Sequence, residues 1–142
     1  MSYDLAVFAP GLVPKDRHEF LEWFDQETSW SKEFDYNDPT NLSPELSCFF
    51  HEIIKDFPPM NGPLKSDGDS TNITDYSCAG SFIYAGFRWS QSESAYATMH
   101  RLAATYQCGF FDVSSIRGNV WLPDGEGGLK LHSSAKPWWK FW

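Results

Sequence analysis

The sequence is short of basic residues, of cysteine and of paired histidines, and each shortage closes a class of function. Lys and Arg total 11 against 19 Asp and Glu, leaving a formal charge of −8. Nucleic-acid backbones and anionic bilayers are held by cationic contacts that release counterions, so neither is expected as a direct partner. The charge suits solubility or a cationic partner instead. Cysteine occurs three times, at Cys48, Cys78 and Cys108, an odd number with no CxxC pair. A disulfide framework or a zinc site is therefore not expected. Cys48 falls beside the apolar side of a predicted helix and Cys108 at a helix end, so buried or inert thiols are expected. His18, His51, His100 and His132 form no i,i+4 pair and no HxH. No metal or cofactor is expected from them. No apolar run of 18 residues exists to span a membrane. The first residues carry no basic region before an apolar run, so no signal peptide is expected and cytoplasm is the expected location.

Aromatic residues are plentiful, at 18% of the 142 residues. That length predicts a single domain over 1–142 with a substantial core, and most of the aromatics belong in it. The clearest punctuation lies between residues 74 and 113. Thr74–Ala79 reads as a strand, Gly80-Ser81 as a tight turn, Phe82–Phe87 as a more apolar strand and Gln91–Gln107 as a helix. Ser90 and Glu93 have the spacing of a capping box at the start of that helix. Tyr96, Met99, Ala103 and Tyr106 fall on one stripe, with Ala95 and Leu102 beside them. Gly109 stands where a helix stop is expected, and Phe110–Val113 begins the next strand.

Upstream, Tyr3–Phe8 is β-rich with apolar residues on both faces, which predicts a central strand. Lys15–Thr28 predicts a helix with Pro14 in its first turn and Phe20, Leu21, Trp23 and Phe24 inward. Ser43-Pro44-Glu45 predicts a second helix start, and Leu46, Phe49, Phe50, Ile53, Ile54 and Phe57 give its apolar face. Downstream, a turn at Ile116–Asn119 leads into a strand over Asn119–Leu122. Leu129–His132 alternates as a short edge strand, within an aromatic C-terminal tail over 129–142. The order β-α-α-β-β-α-β-β predicts an α+β fold: an antiparallel sheet of four to five strands with helices on one face. With the second helix as an insertion, the pattern is ferredoxin-like, and strands Tyr3–Phe8 and Phe110–Val113 are neighbours.

Chemistry-bearing patterns are sparse. There is no GxGxxG, Walker loop or GxSxG, and no helix follows Gly125–Gly128. Asp67-Gly68-Asp69 lacks the flanks and the distal Glu of a calcium loop, so a solvated turn is expected. Cys78 has no base placed beside it, and His51 and His100 fall on helices. Asp4 and Asp112, on neighbouring strands, with Asp75 further out, are the one conceivable carboxylate site for a small enzyme. Their bland alternative is structural hydrogen bonding. What remains is a surface. Trp30, Glu33, Phe34, Asp35, Tyr36 and Asp38 mix acid with aromatic in one connection, the composition of an interface anchor. The alternative there is a solvated loop with two aromatics tucked inward.

The opening Met1–Leu5, the Phe57–Pro63 run, Thr74-Asp75-Tyr76, Ser81–Phe87 with Trp89-Ser90, and Gly109–Ser114 together resemble a family of small bacterial proteins. Some members are similar to immunity proteins that accompany antibacterial toxins, including type VI secretion effectors. The resemblance covers residues 1–123 and carries no catalytic residues. It implies a non-enzymatic antitoxin that binds a cognate toxin and occludes its active site; the acidic surface itself suits a basic, nuclease-like effector, and a monomer or homodimer is expected. Expected contacts are Glu33, Asp35, Tyr36, Asp38, Asp67 and Asp69, with Trp138 and Trp139 as anchors. A ligand-sensing or dimerising regulatory module is a further alternative.

Overall fold

The computed structural model describes residues 2–135. It is an α+β arrangement of one antiparallel sheet and three α-helices. Six strands form the sheet: β1 (Tyr3–Phe8), β2 (Asp75–Cys78), β3 (Phe82–Phe87), β4 (Gly109–Phe111), β5 (Val120–Pro123) and β6 (Leu129–Ser133). Their spatial order is β2-β3-β1-β4-β5-β6. The helices are α1 (Arg17–Glu27), α2 (Pro44–Asp56) and α3 (Ser92–Tyr106). No helix among the described residues is long and apolar enough to cross a membrane.

β1 is central, as its two apolar faces require. It pairs with β3 from Tyr3↔Phe87 to Phe8↔Phe82 and with β4 from Ala6↔Phe111 to Phe8↔Gly109. Alternation sends Leu5 and Val7 to one side and Ala6 and Phe8 to the other. Each side then needs its own cover. α2 and α3 pack together over Leu5, Val7, Ile83, Ala85 and Phe110. α1 alone covers Ala6, Phe8, Phe82, Phe111 and Val120 with Phe20 and Phe24.

Two expectations are corrected here. The helices lie on both faces rather than one, and the helix that stands apart is the first, not the second. The strand count is also six rather than four to five, because the expected edge strand β6 joins β5 through Trp121↔Leu131 and Leu122↔Lys130.

Helix ends differ from their sequence signals in instructive ways. α1 starts at Arg17, with the Asp16 carboxylate accepting from the Glu19 amide at 3.1 Å, so Pro14 stays outside it. Ser43 occupies the N-cap of α2, but its hydroxyl makes no capping bond; its own amide donates to the Gly80 carbonyl at 3.2 Å. The Ser90/Glu93 capping box does not form. Trp89–Gln91 is already a 3₁₀ turn, which moves the N-cap of α3 to Gln91. At the other end Gln107, not Gly109, takes the left-handed cap at φ +53°. Its side-chain amide holds the β5–β6 turn, donating to Gly128 O at 3.1 Å and accepting from Gly125 N at 2.9 Å.

Gly109 is needed for another reason. A Cβ on it would fall inside the ring of Phe8, across the β1–β4 pair. Gly109→Ala is expected to destabilise the fold by about 1–3 kcal/mol, the usual cost of overpacking. Phe8→Leu added to it should recover part of that loss. Thermal or urea unfolding of the two single variants and the double variant checks this; strict additivity of the losses would show that the two sites do not touch.

Candidate functional site

The sheet separates the candidate carboxylates. Asp4 is on the α1 face, one residue from Leu5 and in step with Ala6. Its side chain accepts from the Tyr84 hydroxyl and the Ser2 hydroxyl. Its backbone is tied to Ser114, with Asp4 N donating to Ser114 Oγ at 2.8 Å and Ser114 N to Asp4 O at 3.2 Å. Asp75 shares that face, since both align with Gly86 across β3, but it is an exposed residue with that whole strand between it and Asp4. Asp112 follows Phe110 in alternation and so belongs to the α2/α3 face. There its charge helps raise the Tyr3 and Tyr96 phenols. The expected Asp4–Asp112 pair is thus corrected: neighbouring strands place them close in register and on opposite sides of the sheet, so they cannot share a proton or a water.

The thiols and histidines are equally dispersed. Burial pushes the Cys78 and Cys108 thiols up to about 12, far from a nucleophile's range. Cys48 is exposed, against expectation, because it projects from the outer side of α2 between the buried Leu46 and Phe49. His51 bonds the Ser47 carbonyl at 2.8 Å. His100 sits between Tyr96 and Trp121, with its pKa lowered by burial. No group of three metal-ligating side chains occurs among the described residues.

The acid-and-aromatic connection is where the structure brings predicted site residues together. Trp30 adopts φ +54°, uncommon for a bulky residue, and this turns the chain after α1. Its indole meets Tyr36 edge-on at 4.9 Å and Tyr84 at 5.8 Å. Phe34 adds a third ring, 5.0 Å from Tyr36. Trp30 and Phe34 remain 40% and 44% exposed, so the cluster is packed on one side and open on the other. The loop is anchored to the free edge of β2: Cys78 N donates to Tyr36 O at 2.7 Å, and Asn41 Nδ2 to Cys78 O at 3.1 Å. A main-chain bracket of this kind also blunts the edge against stray pairing.

The rim acids divide by role. Asp35 Oδ1 accepts from Asn37 N at 3.0 Å, an Asx turn. Asp38 accepts from the Thr40 hydroxyl at 2.6 Å and caps the next 3₁₀ turn through Thr40 N at 2.9 Å, and these two bonds, the hydroxyl's first, hold its carboxyl below the usual range. Glu33 is exposed and makes no ion pair among the described residues. Asp67 and Asp69 are exposed on the 58–73 connection, which meets this loop where Gly62 packs on the Asn37 carbonyl; a Cβ on Gly62 would stand 2.7 Å from that oxygen. Trp138 and Trp139 lie outside the described residues. Sequence reading missed a continuation of this surface. Tyr84 passes from the Trp30 cluster into an open depression of about 570 Å³ beside α1, lined by His18, Glu22 and Asp25. The i, i+4, i+7 spacing of 18, 22 and 25 was the available signal.

No known family model, curated protein or solved structure matches the chain.

Two expectations test these environments. Under native conditions one thiol, Cys48, should react with iodoacetamide at neutral pH, and all three after unfolding; mass spectrometry of the alkylated protein reads this directly. For Asp112, burial raises the folded-state pKa, so the ionised form costs stability above that pKa and the cost vanishes once the group is protonated. Asp112→Asn should therefore raise the melting temperature at pH 7, with the difference shrinking toward zero near pH ~3. A lower melting temperature for the variant at pH 7 would contradict this.

Proposed function

We propose that this chain is a binding protein that neutralises a basic protein toxin, in the manner of an immunity protein, with no catalysis of its own. The observation that carries this reading is the braced, half-exposed cluster Trp30–Phe34–Tyr36 rimmed by Glu33, Asp35 and Asp38. Interface hot spots have this character: large rings held rigid before binding, with a charged margin that orients the partner. Pre-formed rings lose little entropy on docking. The net charge of −8 would speed encounter with a cationic partner. Turn-forming jobs for Asp35 and Asp38 fit the same reading, because they hold the loop in one shape. Asp67 and Asp69, on the adjoining 58–73 connection, and Trp138 and Trp139 are proposed as further contacts with the toxin. Cytoplasmic residence belongs to this proposal, since the toxin would be met inside the cell.

The test is coexpression with the toxin gene adjacent to the chain's own gene. The chain should restore growth and bind the toxin in a defined stoichiometry. Glu33→Arg combined with Phe34→Ala leaves the core residues in place, removes the Phe34 ring from Tyr36, and should weaken binding about 10-fold to 100-fold, read by calorimetry. Full affinity in that variant would move the interface elsewhere, and a neighbouring gene with no toxicity would sink the reading.

A further inference from the structure

A second site lies on the opposite face of the sheet. Tyr3 at the start of β1 and Ser92, Glu93 and Tyr96 at the start of α3 line an open depression of about 330 Å³. Trp89 stands against Tyr3, ring centroids 5.1 Å apart and inclined at 58°. Half of the Trp89 surface is exposed, so the ring stands at the rim beside Tyr3 rather than filling the core. Asp112 does not line the depression but lies behind it: alternation from Phe110 puts it on this face, and the register Ala6↔Phe111 sets it across from Leu5, next to Tyr3 on that side. It is half-buried on this same face, and both phenols feel it: burial first and Asp112 second raise Tyr3 to about 12, and the same two causes raise Tyr96. Among the described residues, no Lys, Arg or His pairs with Asp112 or Glu93.

We propose that the depression between Tyr3 and Tyr96, with Trp89 at its rim and Asp112 behind it, is a recognition site for an organic cation, an alkylammonium or guanidinium group. Aromatic faces attract such cations through their ring quadrupoles, and Trp does so best. A carboxylate removed in part from water strengthens the attraction, because its field is less screened there. The positive end of α3 opposes a cation with about half a unit charge. Glu93, in the first turn, offsets that, and Asp112 then remains as net negative charge. An anion would meet two carboxylates, and a neutral apolar ligand would leave Asp112 desolvated with no counter-ion. A metal ion is a poorer fit, since no group of three metal-ligating side chains occurs here or elsewhere among the described residues. The pocket is independent of the loop at 30–38, being on the α2/α3 side of the sheet, and does not rest on the toxin-binding reading.

Two sources share this chemistry: a free alkylammonium compound, and a Lys or Arg side chain of another protein. The probes are tetramethylammonium chloride and N-acetyl-arginine methylamide, each titrated against sodium chloride at matched ionic strength. The readout is the Trp89 indole N–H resonance in a ¹⁵N spectrum, assigned with Trp89→Leu. At least one probe should give a saturating shift, with sodium chloride giving none. Trp89→Leu, followed through the Tyr96 amide, and Asp112→Asn should each weaken binding about fivefold or more. Tighter binding of tetramethylammonium assigns a free ligand; tighter binding of the arginine probe assigns a side chain. Asp112→Asn preserves shape and keeps the test decisive if the Trp89 variant folds poorly. Failure of both probes to saturate by about 50 mM, or unchanged affinity in Asp112→Asn, overturns the proposal.

Discussion

The structure depends on one strand that is buried on both sides. From Leu5 to Phe8 every residue of β1 is sealed from water. Consecutive side chains point to opposite faces, so two apolar surfaces must be covered at once. The α2–α3 pair closes one face, and α1 closes the other through the Phe20–Phe24 contact with Phe8, Phe82 and Phe111. Phe24 meets Phe111 edge-on at 4.8 Å, and Phe20 meets Phe8 at 5.1 Å. A single 11-residue helix covers less of a sheet than two helices do, and large rings extend its reach. Arg17 secures it from the N-terminal end, donating to Gly118 O at 2.9 Å and Ser133 Oγ at 3.0 Å.

This division assigns chemistry to faces. Asp4 and Tyr84 lie on the α1 side, where the cover is narrow, and there Tyr84 joins the Trp30 cluster to the depression beside His18 and Glu22. Tyr3, Tyr96 and Asp112 lie on the other side, at the mouth of α3. The two surfaces are therefore separable by mutation, since Asp4 and Asp112 project from opposite sides of one pleated layer. The proposed protein-binding loop gains its rigidity from β2, whose outer edge it hydrogen-bonds at Cys78.

Several elements were legible from local pattern because their causes are local. Strands β1 and β3 fall on the expected residues, since β-rich runs there end at Pro10-Gly11 and begin after Gly80-Ser81. α2 follows from Pro44 and the spacing of Leu46, Phe49, Phe50 and Ile53, all of them buried. The helix caps were less legible. Ser43 and Ser90 have the right chemistry for capping, but a cap hydrogen bond depends on where the preceding chain comes from. Gly80 engages the amide of Ser43, and the 3₁₀ turn at Trp89 displaces Ser90. Gly109 does not stop the helix, since Gln107 takes the left-handed cap; its lack of a side chain is required instead by the ring of Phe8 across the sheet.

The sequence by itself determined the element order, the central place of β1, the apolar faces of α2 and α3, and the acid-aromatic character of the 30–38 loop. These follow from period, punctuation and composition, which are properties of neighbouring residues. The tertiary structure decided which face each helix covers, because a strand apolar on both sides accepts either. It decided that Asp4 and Asp112 part company, because facing depends on odd or even position relative to a register set by partners more than 100 residues away, from Ala6↔Phe111 to Phe8↔Gly109. It also decided that Tyr3 meets Trp89 and shares a depression with Tyr96, on the face that carries Asp112. Three short segments far apart in the chain meet there only once β1, β4 and α3 have packed.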